Sequence, residues 1–382
     1  MNLEAIFNEY KEKSIQGRYI TLDSIEQLIL QNSEVSSSVI GKSVLGKSIY
    51  QLKMGSGPTK ILMWSQMHGN ESTTTKALFD FINFLTESPI GIQWQKQFSF
   101  CMLPMLNPDG AALYTRENAN LIDLNRDAKD LSQPESKVLR KTFDDFQPDY
   151  CYNLHDQRTI YGTEGFHQPA SVSFLAPSYN TACEINEVRS KAISVIVAMN
   201  NVLQNYIPNQ VGRFDDSFNI NCVGDTFQNL NVPTILIEAG HFSNDYEREL
   251  TRKFIFIGMV AGFQFLESTA NNLNNIEEYL QIPQNRVCFY DVVYKNVAIN
   301  YDNKNIIANI AIQYKEEVID SKFILTAYID AIGNLEGYFG HIEHDAKMEL
   351  YSDDLDNIPQ INQKADFFIG KSIKIVNGLI KM

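Results

Sequence analysis

The stretch Ile61–Glu71 reads ILMWSQMHGNE and joins an apolar run to two polar groups that can bind a metal. The run Ile61–Trp64 has the character of a buried strand, and the turn after it ends in His68-Gly69-Asn70-Glu71. In open α/β sheets, sites form in the crevice beyond the carboxyl ends of the strands. An imidazole and a carboxylate at this spacing could share a Zn²⁺ ion, with a third ligand from elsewhere in the chain. The same spacing also fits a histidine and a glutamate on an exposed loop, so both interpretations stay open at this point.

Length and composition are those of an ordinary soluble globular protein. The chain has 382 residues, of which 44% are apolar and 20% are charged, which is enough for one large domain and a smaller one. Its formal net charge of −14 argues against a nucleic-acid partner and against attraction to anionic membranes. An anionic substrate would therefore need local arginines to bind.

Cysteine usage and the N-terminal segment indicate a cytoplasmic protein. The five cysteines are scattered, odd in number and without CxxC spacing, which fits reduced thiols better than a disulfide framework. Residues 1–19 carry charges throughout and have no apolar core, so we do not expect a secretory signal. The most apolar long run, 254–266, is too short to span a bilayer. A secreted protein whose signal peptide had been removed would show the same pattern.

Strands and helices alternate from the N-terminus to about residue 266. Strands are predicted at 35–40, 48–54, 61–67, 98–104, 150–154, 171–175 and 232–237. Helices are predicted at 72–84, 133–146, 181–206 and 245–266, whereas 207–231 is predicted to be a loop. This alternation predicts an α/β fold with a mostly parallel or mixed central sheet and helices on both faces.

The composition changes near Ile282-Pro283. Beyond this point come four segments rich in β-branched and aromatic residues, 287–294, 306–314, 323–330 and 348–351, with no helix of any length evident. We therefore predict two domains, an α/β catalytic domain over 1–282 and a small all-β, sandwich-like domain of unknown role over 284–382.

Groups able to ligate or catalyse recur at three predicted strand ends, at His68 and Glu71, at His155 and at Glu238. A lone histidine or glutamate at such a position is usually structural or exposed. The repetition at matching ends of one sheet favours a shared site. The intervening loop, 115–127, supplies two arginines, and guanidinium groups bind carboxylates in bidentate fashion.

Several motifs together resemble the zinc metallocarboxypeptidase family. They are HGNE at 68–71, NPDG at 107–110, TRENAN…DLNR at 115–126, NLHD at 153–156 and the strand end at Glu238. Residues 19–54, which contain IGKSVLGKSIYQLKMG, are similar to the N-terminal part of that family, so the resemblance covers roughly residues 19–268. A more distant similarity links the chain to the succinylglutamate desuccinylase and aspartoacylase group.

The resemblance implies a single zinc ion held by His68, Glu71 and His155. This donor set is the established one for carboxypeptidase A, so it enters here by resemblance alone. The resemblance further implies that Glu238 is the general base and acid, and that Arg116 stabilises the developing oxyanion.

Substrate contacts are implied in the same way. Asn125 and Arg126 match the pair that binds the terminal carboxylate of the substrate, and Asp123 matches a carboxylate that orients a ligand histidine. One departure is that the family's substrate-covering tyrosine has no counterpart in 211–224. Arg213 in this stretch is a candidate anion contact or, more simply, a surface arginine.

The predicted function is hydrolysis of the C-terminal peptide bond of a peptide by zinc-activated water, with Glu238 as general base. An alternative is a zinc-dependent deacylase of N-acyl amino acids, because the aspartoacylase group shares HGxE, a strand-end EAG and a trailing β domain. The N-terminal part and the NPDG and TREN motifs favour the peptidase. A catalytically inactive binding module is the second alternative, and the retained ligands, base and arginines argue against it. The expected partner is a peptide or an acylated amino acid with a free carboxylate, while oligomeric state and side-chain preference stay open.

Overall fold

A computed structural model describes residues 2–268, 275–355 and 357–381. Within these residues the chain divides into two compact units. The first contains the residues up to Gln157 together with Thr163–Asn285, and the second contains Arg158–Gly162 together with the residues from Arg286 onward. The functions assigned to the predicted domains, 1–282 and 284–382, stay predictions.

The elements are numbered in chain order. The α-helices are α1 (Leu3–Tyr10), α2 (Leu22–Gln31), α3 (Thr73–Glu87), α4 (Pro89–Trp94), α5 (Pro108–Leu113), α6 (Pro134–Phe146), α7 (Glu187–Leu203), α8 (Val223–Asn229), α9 (Glu249–Glu267) and α10 (Ile276–Gln281). The strands are β1 (Ser36–Lys42), β2 (Ser48–Met54), β3 (Thr59–Trp64), β4 (Phe98–Leu103), β5 (Tyr150–Asp156), β6 (Tyr161–Thr163), β7 (Gln168–Pro169), β8 (Val172–Leu175), β9 (Val211–Arg213), β10 (Thr234–Ala239), β11 (Asn285–Val287), β12 (Phe289–Tyr301), β13 (Lys304–Ile319), β14 (Lys322–Gly333), β15 (Phe339–Asp345), β16 (Tyr351–Ser352), β17 (Phe367–Ile369), β18 (Ile373–Val376) and β19 (Leu379–Ile380). One 3₁₀ turn covers Leu124–Arg126.

The first unit is built on an eight-stranded mixed sheet in the order β1-β2-β4-β3-β5-β10-β8-β9. The four central strands β4, β3, β5 and β10 are parallel to one another, whereas β1 with β2, β2 with β4, and β10 with β8 pair antiparallel. Parallel strands end at the same edge of a sheet, so the residues that follow β3 and β5 lie near the last residues of β10.

Helices cover both faces of this sheet. Along β3, Ile61 and Met63 belong to a core shared with α3, α7 and α9, whereas Leu62 and Trp64 belong to a core shared with α6 and α8. Successive side chains of a strand point to opposite faces, so this division shows that the sheet is buried on both sides. The predicted α/β fold class with a mixed central sheet is confirmed.

The second unit contains two four-stranded sheets, β14-β13-β12-β15 and β16-β17-β18-β19. Side chains from both sheets form one core, with Val292, Tyr294 and Ile312 from the first sheet and Phe367 and Ile375 from the second. The described residues beyond 286 include no helix. The predicted small all-β C-terminal part is therefore confirmed.

Two expectations for the stretch 207–231 are wrong. The predicted loop contains strand β9 and helix α8, which have three and seven residues and are too short to produce a clear hydrophobic period. Arg213 is also not a surface arginine, because it is only 7% exposed and its guanidinium lies 5.2 Å from the centre of the Tyr279 ring. Arg213 pairs with Phe174, whose partner in β10 is Ile237, so its side chain shares a sheet face with Ile237 and not with Glu238.

Among the described residues, no helix is both long and apolar enough to cross a membrane.

Candidate metal centre

The HGNE turn begins a few residues after β3, and its two candidate ligands are buried. His68 is 1% exposed and Glu71 is 8% exposed, and the backbone N–H of Glu71 donates to the carbonyl of His68 at 3.1 Å. Gly69 packs against the backbone at the start of α5, where a Cβ atom would lie 1.9 Å from the carbonyl carbon of Gly110. Only glycine allows this approach, so the turn is pressed against the NPDG segment.

Asn107 of the NPDG segment ties the turn to the arginine-bearing loop. Its side-chain oxygen accepts from the N–H of Gly110 at 2.9 Å and caps α5. Its amide nitrogen donates to the carbonyls of Met67 at 3.2 Å and Glu117 at 3.1 Å. Met67 precedes His68, and Glu117 follows Arg116. Asn107 therefore connects the HGNE turn to the loop that carries Arg116.

Three predicted ligands converge into one buried cluster. Nδ1 of His68 lies 2.8 Å from Oε1 of Glu71, and Nδ1 of His155 lies 2.8 Å from Oε2 of the same carboxylate. The two Nδ1 atoms are 3.2 Å apart. One ligand atom from each of the three residues lies within 4.8 Å of the others.

Neighbouring groups fix the orientation of this cluster. The backbone N–H of Asp156 donates to Oε2 of Glu71 at 3.1 Å, and Oδ1 of Asp123 lies 3.0 Å from Nε2 of His68. The Asp156 carboxylate in turn accepts from the backbone N–H groups of Thr73 and Thr74 at the start of α3. Asp156 is the last residue of the NLHD motif, and the sequence assigns it no role because its contacts arise only in the folded chain.

The pKa values of the cluster reflect burial and close charge pairing. Burial raises the pKa of Glu71, but the adjacent imidazoles outweigh this effect and hold the pKa below its ordinary value. For His68, burial lowers the pKa, and Glu71 and Asp123 reverse that shift and raise it. Burial dominates at His155 and lowers the pKa, which favours the neutral imidazole that metals bind.

The donor set fits a zinc site. Two imidazole nitrogens and one carboxylate are the ligands of catalytic zinc sites that keep one position open. The two Nδ1 atoms lie close to each other and to the same carboxylate. A cation bound between the three groups would stabilise this arrangement. Each imidazole also has its other nitrogen turned away, and Nε2 of His155 has no hydrogen-bond partner among the described residues.

Glu238 lies beside the cluster because of the register of the sheet. It is the cross-strand partner of His155 in β5 and of Ser173 in β8. Its Oε2 atom is buried and has no hydrogen-bond partner among the described residues. Burial raises the pKa of Glu238 well above its ordinary value, and the nearby carboxylates of Glu71 and Asp156 raise it further.

Arg116 lies at the edge of the cluster. Its Nε donates to Oδ2 of Asp123 at 3.1 Å, and its Nη1 lies 3.3 Å from Oε1 of Glu71. The Arg116 side chain is 42% exposed, so it reaches from solvent to the buried groups. The loop that carries it is held by Asn118, which is 1% exposed and donates to Gln133 at 2.9 Å and Glu135 at 3.1 Å.

Asn125 and Arg126 lie farther along the same loop. The backbone N–H of Asn125 donates to Asp123 at 2.8 Å, and its side-chain oxygen accepts from the N–H of Val223 at 2.9 Å. Arg126 is exposed, and its Nη1 donates to the Asn125 carbonyl at 2.8 Å and lies 3.2 Å from Sγ of Cys222. The structure thus links Asn125 to the cluster through Asp123, whereas Arg126 contacts Asn125 and Cys222.

Residues 21–200 match the family model described as zinc carboxypeptidase. The resemblance to the zinc carboxypeptidases is confirmed. Carboxypeptidase SOL1 of Arabidopsis thaliana is 26% identical to this chain over an alignment of 162 residues, and the match covers 36% of this chain and 33% of that protein. The chain therefore spans about a third of the length of the curated relative it matches.

Solved zinc carboxypeptidase structures share the fold. A metallo-carboxypeptidase from Burkholderia cenocepacia has a TM-score of 0.51 at 15% identity, over 62% of this chain and 66% of that chain. A metallo-carboxypeptidase from Pseudomonas aeruginosa, in complex with (2-guanidinoethylmercapto)succinic acid, has a TM-score of 0.50 at 15% identity, over 64% of this chain and 68% of that chain. The family match and the His-Glu-His cluster support a hydrolase of the metallocarboxypeptidase type with a zinc site.

Proposed function

We propose that this chain is a zinc-dependent carboxypeptidase that hydrolyses the C-terminal peptide bond of a peptide. One observation carries the proposal. The buried cluster of His68, Glu71 and His155 lies beside Glu238, which is paired in register with His155. A metal-binding cluster and an adjacent carboxylate that can accept a proton are the two parts that metal-assisted hydrolysis requires.

Nδ1 of His68, Nδ1 of His155 and the Glu71 carboxylate would hold one zinc ion. A bound zinc ion supplies Lewis-acid chemistry, which lowers the pKa of water and polarises a carbonyl group. Asp123 holds His68 by accepting from Nε2, which leaves Nδ1 free to bind the metal. The backbone N–H of Asp156 holds the Glu71 carboxylate in its orientation.

Glu238 is the proposed general base and acid. Its raised pKa suits a carboxylate that takes a proton from water and later delivers it to the leaving amine. Arg116 brings a guanidinium to the rim of the cluster, where it would stabilise negative charge that develops on the carbonyl oxygen. Removal of such a donor typically lowers the rate by about 100- to 1000-fold.

Asn125 and Arg126 are the proposed contacts for the terminal carboxylate of the substrate. The side-chain oxygen of Asn125 already accepts from Val223, so its amide N–H groups remain as the donors for a carboxylate. The exposed guanidinium of Arg126 adds the positive charge that an acidic protein needs to attract an anion. A free carboxylate on the substrate is in keeping with the succinic acid derivative held by the Pseudomonas aeruginosa protein.

The test is mass spectrometry of a mixed peptide library incubated with zinc-loaded protein. We expect stepwise loss of single C-terminal residues, and a parallel set of C-terminally amidated peptides should stay intact because it lacks the carboxylate. Glu238→Gln should lower the rate by about 100- to 10,000-fold while the protein still binds zinc. Release of internal fragments, or equal cleavage of the amidated peptides, would contradict an exopeptidase.

Intact free-acid peptides would count against the proposal. Hydrolysis of N-acyl-aspartate or succinyl-glutamate by the same preparation would then support a deacylase. Failure of the protein to bind zinc would support a catalytically inactive binding module.

A further inference from the structure

Arg248 is a fully buried arginine with no role in the proposed mechanism. It is 0% exposed and is the N-cap residue of α9. Its backbone is left-handed, with φ of 59° and ψ of 26°, a conformation that residues with a side chain seldom adopt. Such conformations persist where the surrounding contacts over-determine them.

The guanidinium of Arg248 joins the ends of two strands. Nη1 donates to the carbonyl of Ala239 at 2.8 Å and also to the carbonyl of Gly240. Nη2 donates to the carbonyl of Gln157 at 3.0 Å. The planar fork of arginine is suited to reach acceptors on two separate segments at once.

These carbonyls lie immediately after the functional side chains. Ala239 follows Glu238, and Gln157 is the second residue after His155. The paired register of β10 and β5 ends at Ala239 with Asp156. The N–H of Gln157 also donates to the carbonyl of Ala239 at 2.8 Å, and Arg248 adds side-chain hydrogen bonds at this end of the two strands.

The segment after Glu238 is tightly packed, so it has little freedom to compensate for the loss of the Arg248 hydrogen bonds. A Cβ atom on Gly240 would lie 1.9 Å from the carbonyl oxygen of Ala170 and 2.4 Å from Nε2 of Gln157. The Gly240 carbonyl also accepts from Oγ1 of Thr251 at 3.2 Å. The segment after Glu238 is thus tightly packed, and Arg248 supplies a charged donor to the carbonyls of Ala239 and Gly240.

We propose that Arg248 is a positioning residue that holds His155 and Glu238 at the separation the zinc peptidase site requires, an inference that rests on the proposed function. It acts through the backbone carbonyls of both strand ends. A displacement of about 1 Å in such a site can lower the rate by about 100-fold.

The experiment compares Arg248→Lys and Arg248→Met with the matched control Arg252→Lys. Arg252 is also 0% exposed and lies in the same helix, but it donates to Asp80 at 2.6 Å and to the carbonyl of Ile15 at 2.8 Å. Lysine keeps the charge and loses the fork in both cases. Three quantities are measured for each variant: the urea midpoint, the zinc Kd by chelator competition, and kcat and KM per zinc-loaded molecule on a peptide.

For Arg248→Lys we expect a zinc Kd raised by about 10- to 100-fold. The kcat should fall by about 100-fold with KM changed by less than about threefold. Arg252→Lys should lower the urea midpoint to a similar extent without changing the zinc Kd or kcat. Arg248→Met should exceed the lysine variant in every readout, and the lysine variant decides the question if the methionine variant does not fold.

An Arg248→Lys protein with lower stability but unchanged zinc Kd and kcat would overturn the proposal, because Arg248 would then be only structural. Equal losses of zinc affinity in Arg248→Lys and Arg252→Lys would overturn it as well. If the unaltered protein releases no C-terminal residue, the proposed function fails. The zinc Kd values of the two variants still decide whether Arg248 positions His155.

Discussion

Replacement of Asp123 by asparagine tests how far the zinc site depends on groups that do not touch the metal. The Asp123 carboxylate accepts hydrogen bonds from Nε2 of His68 at 3.0 Å, from Nε of Arg116 at 3.1 Å and from the backbone N–H of Asn125 at 2.8 Å. His68 and Asn125 share Oδ1, whereas Arg116 binds Oδ2. A single substitution therefore perturbs a ligand, the proposed oxyanion contact and the proposed carboxylate contact.

The expected loss of zinc affinity in Asp123→Asn follows from the second carboxylate oxygen, which asparagine lacks. Its amide has one oxygen, so at least one of the three donors would face an NH₂ group. If the oxygen stays toward His68, Nε of Arg116 loses its acceptor, and a hydrogen bond to a charged group contributes about 1.5–3 kcal/mol. Loss of the carboxylate beside a ligand histidine typically weakens metal binding by about 10- to 100-fold, or about 1.4–2.7 kcal/mol.

The assay is chelator competition for zinc, with kcat/KM on a C-terminal peptide substrate measured in parallel. Asp127→Asn is the control, because Asp127 lies in the same loop but accepts from the N–H groups of Ser132 and Gln133 at 2.9 Å. We expect the control to lose stability and keep its zinc Kd. A zinc Kd within about twofold of the unaltered protein in Asp123→Asn would refute the reasoning, since the smallest expected change is about tenfold.

Three further predictions concern stability. Chelation of zinc should lower the unfolding temperature and zinc should restore it, because a ligand at about 1000 times its Kd contributes about 4 kcal/mol. Arg252→Met should destabilise the protein by about 3–5 kcal/mol, because it leaves the buried carboxylate of Asp80 without its partner, and the double variant with Asp80→Leu should recover most of the loss. Glu249 has a pKa lowered to about 2 by Lys76 and Lys11 despite burial, so its contribution is present above its ordinary pKa of 4.5 and is lost as the pH falls from 4.5 towards 2. The urea midpoint of Glu249→Gln should therefore fall less between pH 5 and pH 3 than that of the unaltered protein.

Each of these has a clear contrary result. An unfolding temperature that is the same with and without zinc would speak against a metal bound to the folded state. A double variant that is no more stable than Arg252→Met would show that the Asp80 carboxylate is not the source of the loss. Parallel pH profiles for Glu249→Gln and the unaltered protein would mean that the ion pairs of Glu249 do not persist in solution.

Much of the candidate site could be predicted because its parts lie at the ends of recognisable strands. His68, His155 and Glu238 follow or end apolar runs of strand length, and parallel strands bring such positions to one edge. Glu71 needs only a short turn to join them. The roles of these side chains stay predictions.

Other features could not be predicted because they depend on tertiary contacts. Helix α8 has only seven residues, so its apolar positions are too few to define a helical period. Arg248 lies in the polar run SNDYERE, most of which is predicted to begin the helix 245–266, and no local pattern marks its guanidinium as buried between two strand ends. Asp156 contacts the start of α3, a segment far from it in sequence, and no local pattern marks that contact.

The pairing of Glu238 with His155 has a consequence for how proteins that share this sheet can vary in length. Because the two side chains are cross-strand neighbours, their separation depends on the ladder and not on the long connection between them. Residues can be added to or removed from the loops between β5 and β10 without moving either side chain. One residue inserted within β10 would instead turn Glu238 towards α7 and α9. An adjacent apolar residue of β10, such as Ile237, would then face the cluster of His68, Glu71 and His155. Gaps in comparisons with distant relatives therefore belong in the connections, and β5 and β10 should align without any.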